Sequence, residues 1–284
     1  MSLLALCFLV AAGVLHAAWN LLIKPVEDRL LVLWLAWLAG SLLFLPVLVA
    51  APVPRAIWPY VVASSAVEAA YGLLLAHAYG LADFSQVYPL ARGAAPALLA
   101  VWAALALRQV PSAAGVAGLA LVVLGLVPVG GGEAWWRWGG PGFRRGGVAA
   151  ALGVALCISV YSLIDGIAVR RTAAAPYTVA IMLGGTLFLT PPVLARHGGR
   201  GVAAAWRAHA WRVVAAGALM MVAYALVLRA YAVAPLGYAG AVREVGVVIA
   251  ALAGWLWLGE RFGPRRVVGA VAVFAGILVL AFAA

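Results

Sequence analysis

Charge is scarce in this chain. Only 10% of its 284 residues are Asp, Glu, Lys or Arg, and just 8 are acidic. Against 67% apolar residues and a mean hydropathy of +1.11, so few charges could not clothe a water-soluble globule. Lysine is nearly missing: Lys24 is alone among the 19 basic residues, the rest being arginine, a bias that a GC-rich bacterial genome explains as readily as any chemistry. Cysteine is confined to Cys7 and Cys157. Both lie in apolar stretches without His at ligand spacing, which excludes a disulfide scaffold and leaves no metal or cofactor to expect. No Gly-Lys-Ser/Thr follows any glycine-rich loop, so ATP is not the energy source. Gly-x-Ser-x-Gly and His-Glu-x-x-His are likewise absent, which speaks against a membrane-embedded enzyme. The net charge of +11 sits in short loops with no soluble domain to present it, so nucleic acid is not an expected partner and a lipid bilayer is.

What is present is long apolar runs. A helix needs about 20 residues to cross about 30 Å of hydrocarbon, and ten runs suffice: 3–23, 30–51, 59–79, 87–107, 112–130, 148–168, 176–195, 212–233, 237–258 and 266–283. The expectation is an all-α polytopic membrane protein of a bacterial inner membrane. The first run lacks a basic region and a cleavage site, so it reads as a retained helix and not a signal peptide.

Two stretches are copies of one another. Trp58 to Leu126 and Trp211 to Ile277 align through Trp58/Trp211, Tyr71/Tyr224, Tyr79/Tyr231, Arg92/Arg243, Gln109/Glu260, Gly118/Gly269 and Gly125/Gly276, with two one-residue slips. Residues 1–130 and 148–284 would then be two five-helix repeats joined by a linker over 131–147, whose three Trp and three Arg suit a headgroup layer. Five spans each is an odd number, so the second repeat enters the membrane inverted, the architecture of a transporter with its site between the halves. Counting Lys and Arg by side, four (Arg55, Arg108, Arg170, Arg171) fall on the side of the N-terminus and twelve on the other. The positive-inside rule then places both termini outside the cytoplasm.

The five-plus-five duplication, Trp19-Asn20 with Lys24 closing the first span, and the run WLWLGERFGPRRVVGAVAVFAGILVL with Gly259, Glu260, Gly269 and Gly276 together resemble the EamA family of the drug/metabolite transporter superfamily. The first half carries a weaker copy, RQVPSAAGVAGLALVVLGL, in which Arg108 stands for the glycine and Gln109 for the glutamate. The resemblance implies secondary active or facilitative transport of a small organic solute, an amino acid or a similar zwitterionic or anionic metabolite, with export the commoner direction. It implies termini in the cytoplasm, against the charge count, and orientation stays open between the two. His16-Ala-Ala-Trp-Asn20 with the run Tyr88 to Pro96 is also similar to a branch associated with phosphonate use. An exporter of cationic toxins and a non-transporting accessory subunit are the alternatives. The paired glycines read either as helix packing or as a homodimer face.

Ionisable groups sunk in apolar spans mark candidate sites, because an unpaired charge there costs at least about 2.5–3.5 kcal/mol. His16, Asn20 and Lys24 share one helix face. Glu68 is the deepest acid, with Tyr71 and Tyr79 after it; its repeat equivalent is Met221. It suits substrate binding or proton carriage, or a structural ion pair. Arg92 and Arg243 occupy equivalent positions, expected to face each other across the pseudo-twofold, with Tyr88 one turn before the first and Glu244 directly after the second. A guanidinium fork holds carboxylate or phosphonate oxygens bidentately; the competing reading pairs Arg92 with Glu68, and Arg243 with Glu244 or Asp165. Asp165 reads as a helix-end acid near Arg170 or as a seat for a solute amine. Glu68, Glu244 and Asp165 are the candidates for coupling to protons. Trp19, Tyr161, Tyr224, Tyr231 and Tyr238 complete the candidate lining, which the resemblance places in a central cavity between the halves.

Overall fold

The computed structural model describes residues 1–23, 26, 28–81, 84–131, 145–258 and 263–283. Lys24, Gly259 and Glu260, singled out in the sequence, and the linker from 132 to 144 lie outside them, as do the side chains of Tyr79 and Tyr88. The described residues are helical, with no strand among them. In chain order the helices are α1 (Leu3–Ile23), α2 (Arg29–Leu43), α3 (Leu45–Ala50), α4 (Trp58–Leu81), α5 (Phe84–Leu107), α6 (Ala113–Gly131), α7 (Arg145–Ala168), α8 (Ala174–Val233), α9 (Leu236–Arg243), α10 (Val245–Leu258) and α11 (Pro264–Ala283). Six helical stretches are long and apolar enough to cross a bilayer, and Leu30–Leu43 and Ala113–Val129 are shorter apolar helices. Large apolar side chains such as Val49, Leu124, Leu187, Val268 and Phe282 stand exposed around the outside. Surface of that kind suits lipid and not water.

Local chemistry explains several helix boundaries. Asp28 caps α2, its Oδ1 accepting from the Leu31 backbone N–H at 3.0 Å, which satisfies one orphan donor of the first turn. Pro46 sits in the first turn of α3, where a missing N–H is harmless, and so the expected second span is divided at Phe44. The expected gap between spans seven and eight is helical instead, so that α8 runs for 60 residues. Its Ala-rich stretch, AAAWRAHAW, has the propensity to continue a helix through an interface. A straight helix of that length would reach about 90 Å. Gly198 breaks it, at φ 61 and ψ 172, a backbone region that is essentially glycine's alone. Beside the break, the His197 Nε2 approaches Asp28 Oδ2 at 3.2 Å.

Packing relies on small residues where backbones meet. Helices α6 and α11 cross so closely that a Cβ on Gly125 would lie 2.7 Å from the Gly269 carbonyl oxygen, and one on Gly276 would lie 2.7 Å from that of Gly118. The two glycine pairs thus face each other within one chain, and close backbone approach accounts for their spacing. Helix α4 packs on α7 and α1 on α8; α5 packs on α7 and α1 on α10. Helices α4 and α2 also pack on α8, where Ser65 Oγ donates to the Ile181 carbonyl (2.9 Å) and Trp34 Nε1 to the Thr186 carbonyl (3.1 Å).

The C-terminus of α5 closes on a left-handed residue, with the Gln109 N–H donating back to the Ala103 carbonyl at 3.1 Å. Arg108, between α5 and α6, is the only described non-glycine residue at positive φ, 55°. For an L-residue the left-handed conformation costs about 1–2 kcal/mol. The neighbouring Gln109 ties this loop to the second half, its Oε1 accepting from the Leu236 N–H at 2.8 Å at the start of α9.

Candidate functional site

Helices α1, α2, α4, α5, α7, α8, α9 and α10 converge on a central cavity. It offers about 120 Å³ of room to the centres of water-sized spheres, well above the about 10–15 Å³ that holds one water. His16 and Trp19 enter from α1, Trp37 from α2, Glu68 and Tyr71 from α4, Arg92 from α5, Tyr161 from α7, Tyr224 from α8, Arg243 from α9, and Glu244 from the junction of α9 and α10.

The two arginines meet on one carboxylate. Arg92 Nη1 lies 3.5 Å and Arg243 Nε 3.6 Å from the same oxygen, Glu244 Oε1. Glu244 can stand there because the helix breaks at it: it caps α9 at φ −69, ψ −4 and turns the chain into α10. Its side chain is 1% exposed, yet neither carboxylate oxygen makes a hydrogen bond among the described residues. Strong guanidinium–carboxylate bonds run at about 2.7–2.9 Å, so this carboxylate is attracted by two cations and gripped by neither. Arg92 Nη2 also lies 3.4 Å from His16 Nε2, and Arg243 Nη1 donates to Ser162 Oγ at 3.4 Å. The pairing of Arg92 with Glu68 is therefore replaced by one with Glu244, because the break after Arg243 carries Glu244 under both guanidinium groups.

Two further acids are buried. Glu68 lines the cavity with Oε2 lacking a hydrogen-bond partner among the described residues. Asp165 lies behind the cavity wall, fully buried, where Tyr177 donates to Oδ1 at 2.8 Å and Tyr224 to Oδ2 by a short bond. Asp165 stands in the last turn of α7 as expected, but its side chain engages the tyrosines, while Arg170 donates to the Ala234 carbonyl at 3.3 Å. The turn after α7 folds α8 back beside it, and this brings Tyr177 to Asp165. The rings of Tyr71, Tyr161 and Tyr224 form an edge-to-face ladder with centroids 6.1 and 6.4 Å apart, a favoured aromatic arrangement.

Other candidates fall elsewhere. Asn20 does not line the cavity but donates to the His16 carbonyl at 2.8 Å, a local bond within α1. Tyr231 is buried between the cavity and α9 without lining it. Tyr238 points to the far end of the bundle, where its hydroxyl accepts from the Ser112 N–H at 3.2 Å. Trp37, Met182, Met220 and Val227 line the cavity without having been singled out. An aromatic or methionine inside a uniformly apolar span carries no mark of which way it faces. Among the described residues no cluster of His, Cys, Asp and Glu could hold a metal ion.

Residues 145–282 match the EamA-like transporter family. A solved crystal structure superposes on 99% of this chain and 99% of its own with a TM-score of 0.75 at 18% identity. At that identity the likeness concerns the fold alone. No curated protein matches the sequence.

Proposed function

From the match of residues 145–282 to the EamA-like transporter family, we propose that the chain is a transporter of this kind and that it carries a small zwitterionic or anionic solute through the central cavity by alternating access. One observation carries the reading: Arg92 and Arg243, from corresponding places in the two halves, share Glu244 Oε1 at 3.5 and 3.6 Å. Glu244 acts as a tethered stand-in for the solute's anionic group. A carboxylate or phosphonate entering the cavity takes its place and gains bidentate contacts that Glu244, anchored to a helix junction, does not make. Glu68, whose Oε2 is unpartnered in the cavity wall, serves the ammonium end of a zwitterion, and the Tyr71, Tyr161 and Tyr224 ladder its carbon frame.

Ten spans follow when α2 with α3 counts as one crossing, α8 as two limbs either side of Gly198, and α9 with α10 as one. The packing supports the inverted repeat. Exchanging the halves turns the α4–α7 contact into α8–α1, and α5–α7 into α10–α1, and all of these contacts are present. The two halves rock about the cavity they share, as such repeats do, and the geometry fits a carrier better than an enzyme or an accessory subunit.

Thermal unfolding of the purified chain with glycine, methylphosphonate and tetraphenylphosphonium tests the solute class. Saturating ligand at a hundred times its Kd adds about 2.7 kcal/mol to native stability. Stabilisation by either anion-bearing probe, lost in Arg92→Ala and in Arg243→Ala, is expected. Stabilisation by tetraphenylphosphonium alone, unaffected in both variants, would instead make this an exporter of cations, a reading that Glu68 and Asp165 favour.

A further inference from the structure

A second cavity, of about 520 Å³, opens at the end of the bundle where both chain termini lie. Its wall combines the α5–α6 loop with Arg108, Gln109 and Ser112, the Arg170 that follows α7, and the α8–α9 turn with Tyr238 beyond it. No lining residue is acidic. Two of the four basic residues on this side of the protein, Arg108 and Arg170, therefore face one space with no acidic side chain among its described lining residues. Arg170 commits one N–H to the Ala234 carbonyl, and a guanidinium carries five. The Tyr238 hydroxyl, which accepts from the Ser112 N–H, retains its own proton to donate.

The backbone at Arg108 supplies an independent observation. Its φ of 55° is one that glycine adopts freely, and the corresponding position of the second half, by the alignment of Gln109 with Glu260, is indeed Gly259. The first half keeps an arginine where glycine would be unstrained. Packing does not require it, since Arg108 is exposed. What the arginine adds is a guanidinium at the mouth of the second cavity, beside the exposed apolar side chains of Val110 and Val233. Many helices end on a left-handed residue, and glycine is the usual choice there; the departure at this end is the arginine.

We propose that this cavity binds a phosphate group through Arg108 and Arg170, supplied either by the headgroup of an anionic phospholipid or by a free phosphate. Arginine forks match phosphate oxygens in geometry as well as charge. The neighbouring apolar residues and the position at the end of the spans suit a headgroup whose acyl chains stay in the leaflet. Because Arg108 belongs to the first half and Arg170 to the second, the bound phosphate bridges them beside the existing Gln109–Leu236 bond.

The test is thermal unfolding of the full chain in detergent, followed by tryptophan fluorescence, with added phosphatidylglycerol, phosphatidylcholine or inorganic phosphate, for the wild type, Arg108→Gly and Arg170→Gln. Arg108→Gly removes the guanidinium while relieving the backbone, so its unliganded melting temperature should equal or exceed the wild type's. Phosphatidylglycerol is expected to raise the wild-type melting temperature by several degrees more than phosphatidylcholine does. That difference should vanish in Arg108→Gly and shrink in Arg170→Gln. A rise with inorganic phosphate that Arg108→Gly abolishes, with the two lipids equivalent, would support the site and assign it to a soluble phosphate. An Arg108→Gly variant that responds to every addition as the wild type does, or a wild type that responds to none, would overturn the proposal.

Discussion

Glu244 stands at the centre of the charge arrangement, buried, close to two arginines and bonded to nothing else described. If it occupies the seat of a solute anion, removing its charge should improve binding while harming the cycle that depends on its release. Glu244→Gln is expected to bind glycine or methylphosphonate about tenfold more tightly, equivalent to about 1.4 kcal/mol, and to transport more slowly. Calorimetric titration against the wild type checks this, and weaker binding would make Glu244 a structural counter-ion. Glu68 has the contrary expectation. Its unpartnered oxygen in the cavity wall makes it the best-placed proton carrier, so Glu68→Gln in proteoliposomes should exchange solute across the membrane but fail to accumulate it. Unchanged accumulation would remove Glu68 from coupling. Sequence comparison between the halves singles out Arg92 and Arg243, because a repeated ionisable residue in an apolar span stands out. Asp165 is harder to read: its partners, Tyr177 and Tyr224, come from the two limbs of α8, and no spacing in the chain announces that meeting. Trp37 and Met182 escape notice altogether, since composition alone does not tell a cavity wall from a lipid face.

Helix positions follow closely from apolar runs, and their breaks less so. The division of α2 from α3 at Phe44, the break in α8 at Gly198 and the break at Glu244 all depend on single backbone angles and not on hydropathy. Two glycines separate conformational from steric need. At Gly198 nothing lies within 4 Å of a built Cβ, so Gly198→Ala should cost only the backbone penalty, about 1–3 kcal/mol. At Gly125 the Cβ would strike the Gly269 backbone, so Gly125→Val must part α6 from α11 and should cost more. Melting temperatures in detergent, with size-exclusion profiles, decide the order. A Gly125→Val variant as stable as the wild type would mean that the two helices separate freely.

At the scale of the molecule, an odd number of crossings between two points puts them on opposite faces of the membrane. From Ser112 to Gly201 the chain passes through α6, α7 and the first limb of α8. In a background without Cys7 and Cys157, Ser112→Cys and Gly201→Cys should react with an impermeant maleimide from opposite sides of sealed vesicles. Reaction from the same side would contradict the span count, and the side on which Ser112→Cys reacts would settle the conflict between the arginine distribution and the family expectation.

The meeting of α6 with α11 has a mechanical meaning. Gly118 faces Gly276 and Gly125 faces Gly269, while the duplication equates Gly118 with Gly269 and Gly125 with Gly276. Swapping the halves therefore maps one contact onto the other and leaves the seam as it was. If the halves trade conformations, junctions between non-equivalent helices, such as α1 with α8 and α4 with α7, must exchange their character, tight becoming loose and loose becoming tight. This one need not. It can serve as the fulcrum of the movement, a bearing worn equally from both sides, and the direct approach of backbone to backbone at the two glycine pairs gives that bearing almost no play.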